Sequence, residues 1–432
     1  MMGPWLTTAL VVGTMIGSGI FMLPVSLAPL GMNAVVGWLI SIVGALSIAF
    51  AFARLSRVSG GGGIQSYIEQ AFGPIVGFIT AWAFWFSNWT AVAAVAIAFG
   101  SATSRISPLF GDDTVIVLAL LSIVVLTAVN ALGVTISGRL NMVTVLIKLL
   151  PLLGVAMLLA YKISSGSTLE PLAESPYTIS NIASATTLTL FAMLGFENAT
   201  TPVGKVRDPE RTLPRALLGG TIAVGVLYLA ASSGVTLLLP ANQVAASPAP
   251  YADVFATYGG QTMVVLAAMA IAVSAFGTLL CLILATGELS YAMALRGQLP
   301  AVLARTTAGN TPFTSQVFGS IMAVVLVLAN ASKSTAGLFT FIILLSTSGV
   351  LVVYLAGALA ALRKDRATST RCIVGIALVF IGFAFYGSGY DANAWCLVLL
   401  VLGFVVYGVM GRLNSSGGST PAAETAAAAP RE

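Results

Sequence analysis

Apolar runs of around twenty residues recur along the whole chain, and this repetition limits the fold more than any other feature. Twelve can be marked: 5–30, 33–54, 74–102, 114–133, 140–162, 180–203, 216–239, 261–289, 314–332, 336–362, 370–388 and 393–411. Each is long enough to cross about 30 Å of hydrocarbon. Of the 432 residues, 58% are hydrophobic and 8% charged, where soluble domains carry about 25% charged residues. Lipid is therefore the expected solvent. In lipid every backbone polar group needs an internal partner, so the expected class is an all-α membrane protein with 12 transmembrane helices.

Charge sets the orientation. Twelve spans put both termini on one side. If that side is cytoplasmic, the inside loops hold Arg54, Arg57, Arg139, Lys205, Arg207, Arg211, Arg215, Arg296, Arg305, Arg363, Lys364, Arg366, Arg371, Arg412 and Arg431. The outside loops hold only Arg105, Lys162 and Lys333, and Lys148 lies inside a span. The positive-inside rule then makes both termini cytoplasmic. These loops account for the net charge of +5. No basic patch with interleaved aromatics exists, so no nucleic-acid partner is expected. No basic segment precedes the first span, so no cleavable leader is expected.

Covalent chemistry is not expected either. There is no histidine, and Cys281, Cys372 and Cys396 show neither metal nor disulfide spacing. No paired catalytic carboxylates stand out. The chain reads as a non-enzyme without cofactor or metal. Residues 1–411 form one transmembrane domain, and 412–432 read as a disordered cytoplasmic tail.

Two spans carry built-in breaks. "TMIGSGIFMLP" (14–24) holds Gly17, Gly19 and Pro24, and "LTLFAMLGFENATTP" (188–202) holds Gly195, Glu197 and Pro202. Glycine inside a helix costs roughly 1 kcal/mol and proline about 3. A break in lipid is tolerated only where it is buried or lines a cavity. The broken spans each begin a five-helix block, 5–162 and 180–362. Interrupted helices at matching positions point to inverted repeats around a midplane site. Freed amides at Ile16, Gly17, Ser18 and Gly19 suit a carboxylate. Freed carbonyls around Leu194 and Gly195 suit an ammonium group. Together they suit an α-amino acid. Close helix packing is the rival explanation for the glycines; two matching breaks and an intramembrane Glu197 favour a site.

The sequence resembles the amino acid–polyamine–organocation transporter superfamily. "GSGIFMLP" (17–24) resembles its first-helix motif, and "SGGGGIQSYIEQAFGPIVGF" (59–78) its loop between helices two and three. "GFENAT" (195–200) with "KVRDPERTLPRA" (205–216) resembles helix six and the loop after it, and "YAMALRGQLPAVLAR" (291–305) the stretch after helix eight. The nearest likeness is to bacterial basic amino acid and polyamine antiporters such as the arginine–agmatine exchanger. The resemblance implies the leucine-transporter fold, with 5+5 inverted repeats and broken helices 1 and 6. It also implies a homodimer.

The likeness has departures. Thr14 stands where the exchanger has asparagine, Phe191 and Leu282 where it has tryptophans, and Phe84 where it has tyrosine. Guanidinium groups stack well on tryptophan, so the missing indoles weaken the case for arginine. Glu197 matches the antiporters' proton-sensitive glutamate. Lys148, nine residues after Arg139, resembles the fifth-helix lysine of sodium-independent relatives; the competing reading is a lysine that snorkels to the interface.

The resulting expectation is an inner-membrane amino acid/amine antiporter working by alternating access. Ile16, Gly17, Ser18 and Gly19 take the carboxylate, with Thr14 beside them. Phe191, Leu194 and Gly195 surround the amino group and gate the pocket. Phe84, Asn88, Leu282 and Ser346 shape the side-chain pocket, with Ser87 on the same span. Glu197 and Lys148 provide coupling. With no acid beyond Glu197 at suitable depth, small neutral substrates are favoured over cationic ones. The alternative is a proton-coupled symporter of neutral amino acids; a non-transporting sensor or channel is more remote. Glu288 either joins a cytoplasmic gate or pairs with a loop arginine.

Overall fold

The computed structural model describes residues 3–59, 63–107, 110, 111, 114–131, 134–197, 206, 208–307 and 311–416. Parts of three sequence motifs, at 60–62, 198–205 and 207, lie outside these residues, as does the tail from 417.

Every regular element among the described residues is a helix. The first break separates α1 (Pro4–Met15) from α2 (Gly19–Leu27). Then come α3 (Met32–Ser59), α4 (Gly63–Phe72), α5 (Pro74–Ser104), α6 (Val115–Asn130) and α7 (Val134–Ser164). After an extended stretch follow α8 (Ile179–Met193), α9 (Pro209–Leu238), the short α10 (Ala241–Ala246) and α11 (Pro250–Leu295). The chain closes with α12 (Phe313–Ala329), α13 (Thr335–Lys364) and α14 (Thr368–Ser416).

Local chemistry marks many of these ends. Proline opens α1, α5, α9 and α11, where its missing amide would have no partner anyway. The hydroxyls of Thr178 and Ser334 cap α8 and α13 by accepting from the amides of Asn181 and Gly337.

Seven of these helices are long and apolar enough to cross a membrane, or eight if the bent α1–α2 pair is one span. α6, α8 and α12 are apolar but shorter. Two long helices are interrupted. α11 has non-helical backbone at Gly260 and α14 at Gly389. Gly389, at φ 80°, falls between the apolar runs 370–388 and 393–411. Only glycine takes that conformation without strain. α14 continues to Ser416, past the end of its last apolar run.

α5 packs on α11 and α13, and α3 on α8 and α9, at the centre of the assembly. α1 lies along α9 and α2 against α8. α14 is peripheral, with Val379, Leu397 and Val401 largely exposed, as expected of a lipid-facing helix.

Candidate functional site

The first break lies where the glycines place it, but Pro24 takes no part. Pro24 sits inside α2, buried, while the helix is interrupted over Ile16–Ser18. α1 and α2 meet there at a bend of 49°. A missing proline amide costs α2 one hydrogen bond, which its packed surroundings tolerate.

Not all four amides at this break are available. The amide of Ile16 donates to the carbonyl of Val12 at 2.9 Å, and that of Gly17 to Met15 at 2.8 Å. The chain folds back on itself before it leaves α1, which corrects the expectation for these two residues. Among the described residues the amides of Ser18 and Gly19 have no backbone acceptor. The Met15 carbonyl accepts from the Tyr228 hydroxyl of α9 at 3.0 Å. Trp38 packs edge-on against the Tyr228 ring and holds it there.

The second break is built differently. α8 ends at Met193, Leu194 is extended and Gly195 has φ 115°. A Cβ at Gly195 would collide with the Thr14 carbonyl, so glycine is required both by backbone angle and by the approach of the first break. Glu197 turns back so that its Oε2 accepts from the Gly195 amide at 3.0 Å and from the Tyr354 hydroxyl of α13 at 2.9 Å. Tyr354 is fixed by Phe196, stacked at 5.6 Å, and by Phe52, edge-on at 5.5 Å. Glu197 is 5% exposed.

Between the breaks lies a cavity of about 110 Å³. Thr14, Gly17 and Gly19 line it from the first break, and Phe191, Leu194, Gly195 and Glu197 from the second. α5 contributes Phe84 and Asn88, α11 Leu282 and α13 Ser346. The Phe191 ring lies directly over Gly19. Glu197 is the only charged side chain among the described lining residues.

Three expected site residues lie elsewhere. Ile16 and Ser18 are buried beside the cavity without lining it, because the bend turns their side chains into the protein. Lys148 is 2% exposed, on α7, and faces the Cys281 region of α11 rather than the cavity. Its burial argues against snorkelling. Glu288 is exposed and joins none of the three ion pairs among the described residues.

Further residues complete the wall. Ala91 and Val95 continue the α5 stripe, Thr278 precedes Leu282 by one turn, and Val350 follows Ser346 by one turn. The signal for these was helical spacing: once one residue faces the cavity, its i+4 and i+7 neighbours do too. Ser87 both lines the cavity and bridges helices. Its hydroxyl donates to the Ser346 carbonyl at 2.8 Å, and the Ser346 hydroxyl donates to the Ser87 carbonyl at 2.9 Å. Thr347 instead bonds a backbone carbonyl of its own helix, and Ser348 bonds both the Leu344 carbonyl and the Asn393 side chain of α14.

A model of the amino acid permease family matches residues 2–419. The putrescine transporter PotE of Haemophilus influenzae is 27% identical over 414 residues, covering 93% of this chain and 95% of that protein. PotE of Escherichia coli is 27% identical over 428 residues, with 95% and 96% covered. The cadaverine/lysine antiporter of Escherichia coli is 29% identical over 343 residues, with 78% and 76% covered.

Proposed function

Since the chain belongs to the amino acid permease family, we propose that the cavity between its two helix breaks is the substrate site of an amino acid/amine antiporter that works by alternating access. The single observation that carries this is the meeting of two interrupted helices around one cavity with a buried carboxyl group in its wall. At about 110 Å³ the space is well under the roughly 300 Å³ at which drug-sized pockets begin. It suits a molecule of amino-acid size.

The amide of Gly19, on the cavity wall at the N-terminus of α2, receives a substrate carboxylate, where the helix dipole favours an anion. Glu197 and the carbonyls at Leu194 and Gly195 receive an ammonium group. Phe84 and Phe191 give that cation aromatic faces, and Asn88, Leu282 and Ser346 meet the rest of the molecule. The relatives' names, with putrescine, cadaverine and lysine, move the reading from neutral substrates toward amines. Lys148 and Glu197 couple occupancy to conformation.

The proposed architecture is the leucine-transporter fold in a bacterial inner membrane, with both termini cytoplasmic. Twelve spans are counted when α1 and α2 form one, α14 is divided at Gly389, and α4 and α10 are left out. Residues 1–411 make one transporter domain, with repeats at about 5–162 and 180–362, and two copies form a dimer.

Counterflow in proteoliposomes tests the function. Uptake of labelled putrescine or lysine is expected only when the vesicles are preloaded with an amine or amino acid. Equal uptake into empty vesicles driven by acid outside would overturn exchange in favour of proton-coupled entry.

A further inference from the structure

A second concavity, of about 820 Å³, lies on the outer face between α3 and α14. Leu39, Val43 and Gly44 form one wall, and Gly375, Val379 and Phe383 the other. It opens outward: Leu39, Val43 and Val379 are 52%, 57% and 75% exposed. The Phe380 ring closes on Gly44, while a Cβ at Gly375 would meet nothing within 4 Å. The thiol of Cys372 marks one end.

That end is also where positive charge collects. Residues 371, 375 and 379 are four apart on α14, so Arg371 continues the groove's own stripe one turn beyond Gly375. Arg366 precedes the helix. Both arginines are exposed, and neither joins the ion pairs among the described residues. Their basic neighbours are engaged: Arg54 with Asp365, Lys364 with the Gln70 side chain, and Arg363 over the Phe72 ring. An apolar trough therefore ends beneath two exposed cations that join no ion pair among the described residues.

We propose that this groove binds an anionic phospholipid of the surrounding bilayer, with an acyl chain between α3 and α14 and the headgroup phosphate at Arg371 and Arg366. The apolar walls accept the acyl chain of any phospholipid. The arginines select among headgroups, because basic residues at headgroup level attract anionic lipids. A second copy of the chain fits less well. A two-fold contact through this face, with its axis along the membrane normal, would bring the arginines of both copies to the same depth. The inference rests on the membrane location of the chain and is independent of the transported substrate.

Native mass spectrometry of the full-length protein tests it, after detergent extraction and incubation with phosphatidylglycerol or phosphatidylcholine of identical chains. Wild type is expected to retain phosphatidylglycerol preferentially. Arg371→Gln should reduce that preference by about fivefold. Gly375→Phe, which fills the trough where there is open space, should lose both lipids while keeping the wild-type melting temperature. Equal retention of the two lipids by wild type would overturn the proposal. So would a preference unchanged in Arg371→Gln, or wild-type retention in Gly375→Phe. A Gly375→Phe protein that turns from dimer to monomer with bound lipid unchanged would assign the face to a second copy instead.

Discussion

At the first break the Met15 carbonyl is held by a hydroxyl from another helix, whereas at the second the Gly195 amide is held by a carboxylate two residues along its own chain. Both arrangements satisfy backbone that lipid could not. They leave opposite residues of polarity on the cavity. The first break uses a tertiary partner on a carbonyl and keeps the amide of Gly19, which lines the cavity, without a backbone acceptor among the described residues. The second uses an amide internally and adds a carboxyl group. A cavity between two such ends has a donor side and an acid side, the polarity of a zwitterion or an amine. The comparison also shows where each break is vulnerable, by backbone at Gly195 and by side-chain partner at Tyr228.

Gly195→Ala is expected to do the most damage. Strain at φ 115° and collision with the Thr14 carbonyl each cost about 1–3 kcal/mol. Little folded protein should survive size-exclusion chromatography; a wild-type melting temperature would mean that the breaks do not depend on this approach. Glu197→Gln keeps the shape and removes the charge. Hydrogen bonds to charged groups contribute about 1.5–3 kcal/mol, so amine exchange should fall by about 10- to 100-fold. Unchanged counterflow would erase the proposed acid side of the cavity.

Tyr228→Phe removes one of the two hydrogen bonds to the Met15 carbonyl, which the Gly17 amide still holds, a cost of about 0.5–1.5 kcal/mol. It should lower the melting temperature without changing which substrates compete. Ser346→Ala loses one of the two crossed bonds between α5 and α13. Side-chain hydrogen bonds between membrane helices average about 0.6 kcal/mol, so the shift should be small, and a large one would promote this bridge to the level of the breaks.

The smallest effect lies outside the cavity. The Ala367 amide first, then the Thr370 hydroxyl and the Arg54 guanidinium, hold the Asp365 carboxyl below the usual carboxylate range, against an opposing contribution from burial. The stability it contributes is complete above the unfolded-state value of about 3.9 and is lost as pH falls through the lower folded value. Asp365→Asn should therefore lower the melting temperature slightly at pH 7 and make no difference at pH 2. A difference persisting at pH 2 would mean that the residue acts by shape and not by charge.

The sequence alone determined the helical class and the positions of the breaks at Gly17 and Gly195. It also placed Glu197 beside the second break and Asn88 as a candidate. These depend on apolar run length, backbone propensity and spacing within one segment, all local quantities. The likeness to a transporter family supplied Leu282 and Lys148, which spacing within their own helices does not single out. Tertiary structure decided which amides at the first break stay unpaired and that Ile16 and Ser18 turn away from the cavity. It also decided that Lys148 faces α11. It brought Tyr228 to Met15 and Ser87 to Ser346, and it set Gly375 beside a trough ending at Arg371. Each of these depends on how far a helix is rotated about its axis and on partners up to hundreds of residues away. Hydropathy counts the apolar residues in a helix, but the direction each one faces is set only when the helices pack.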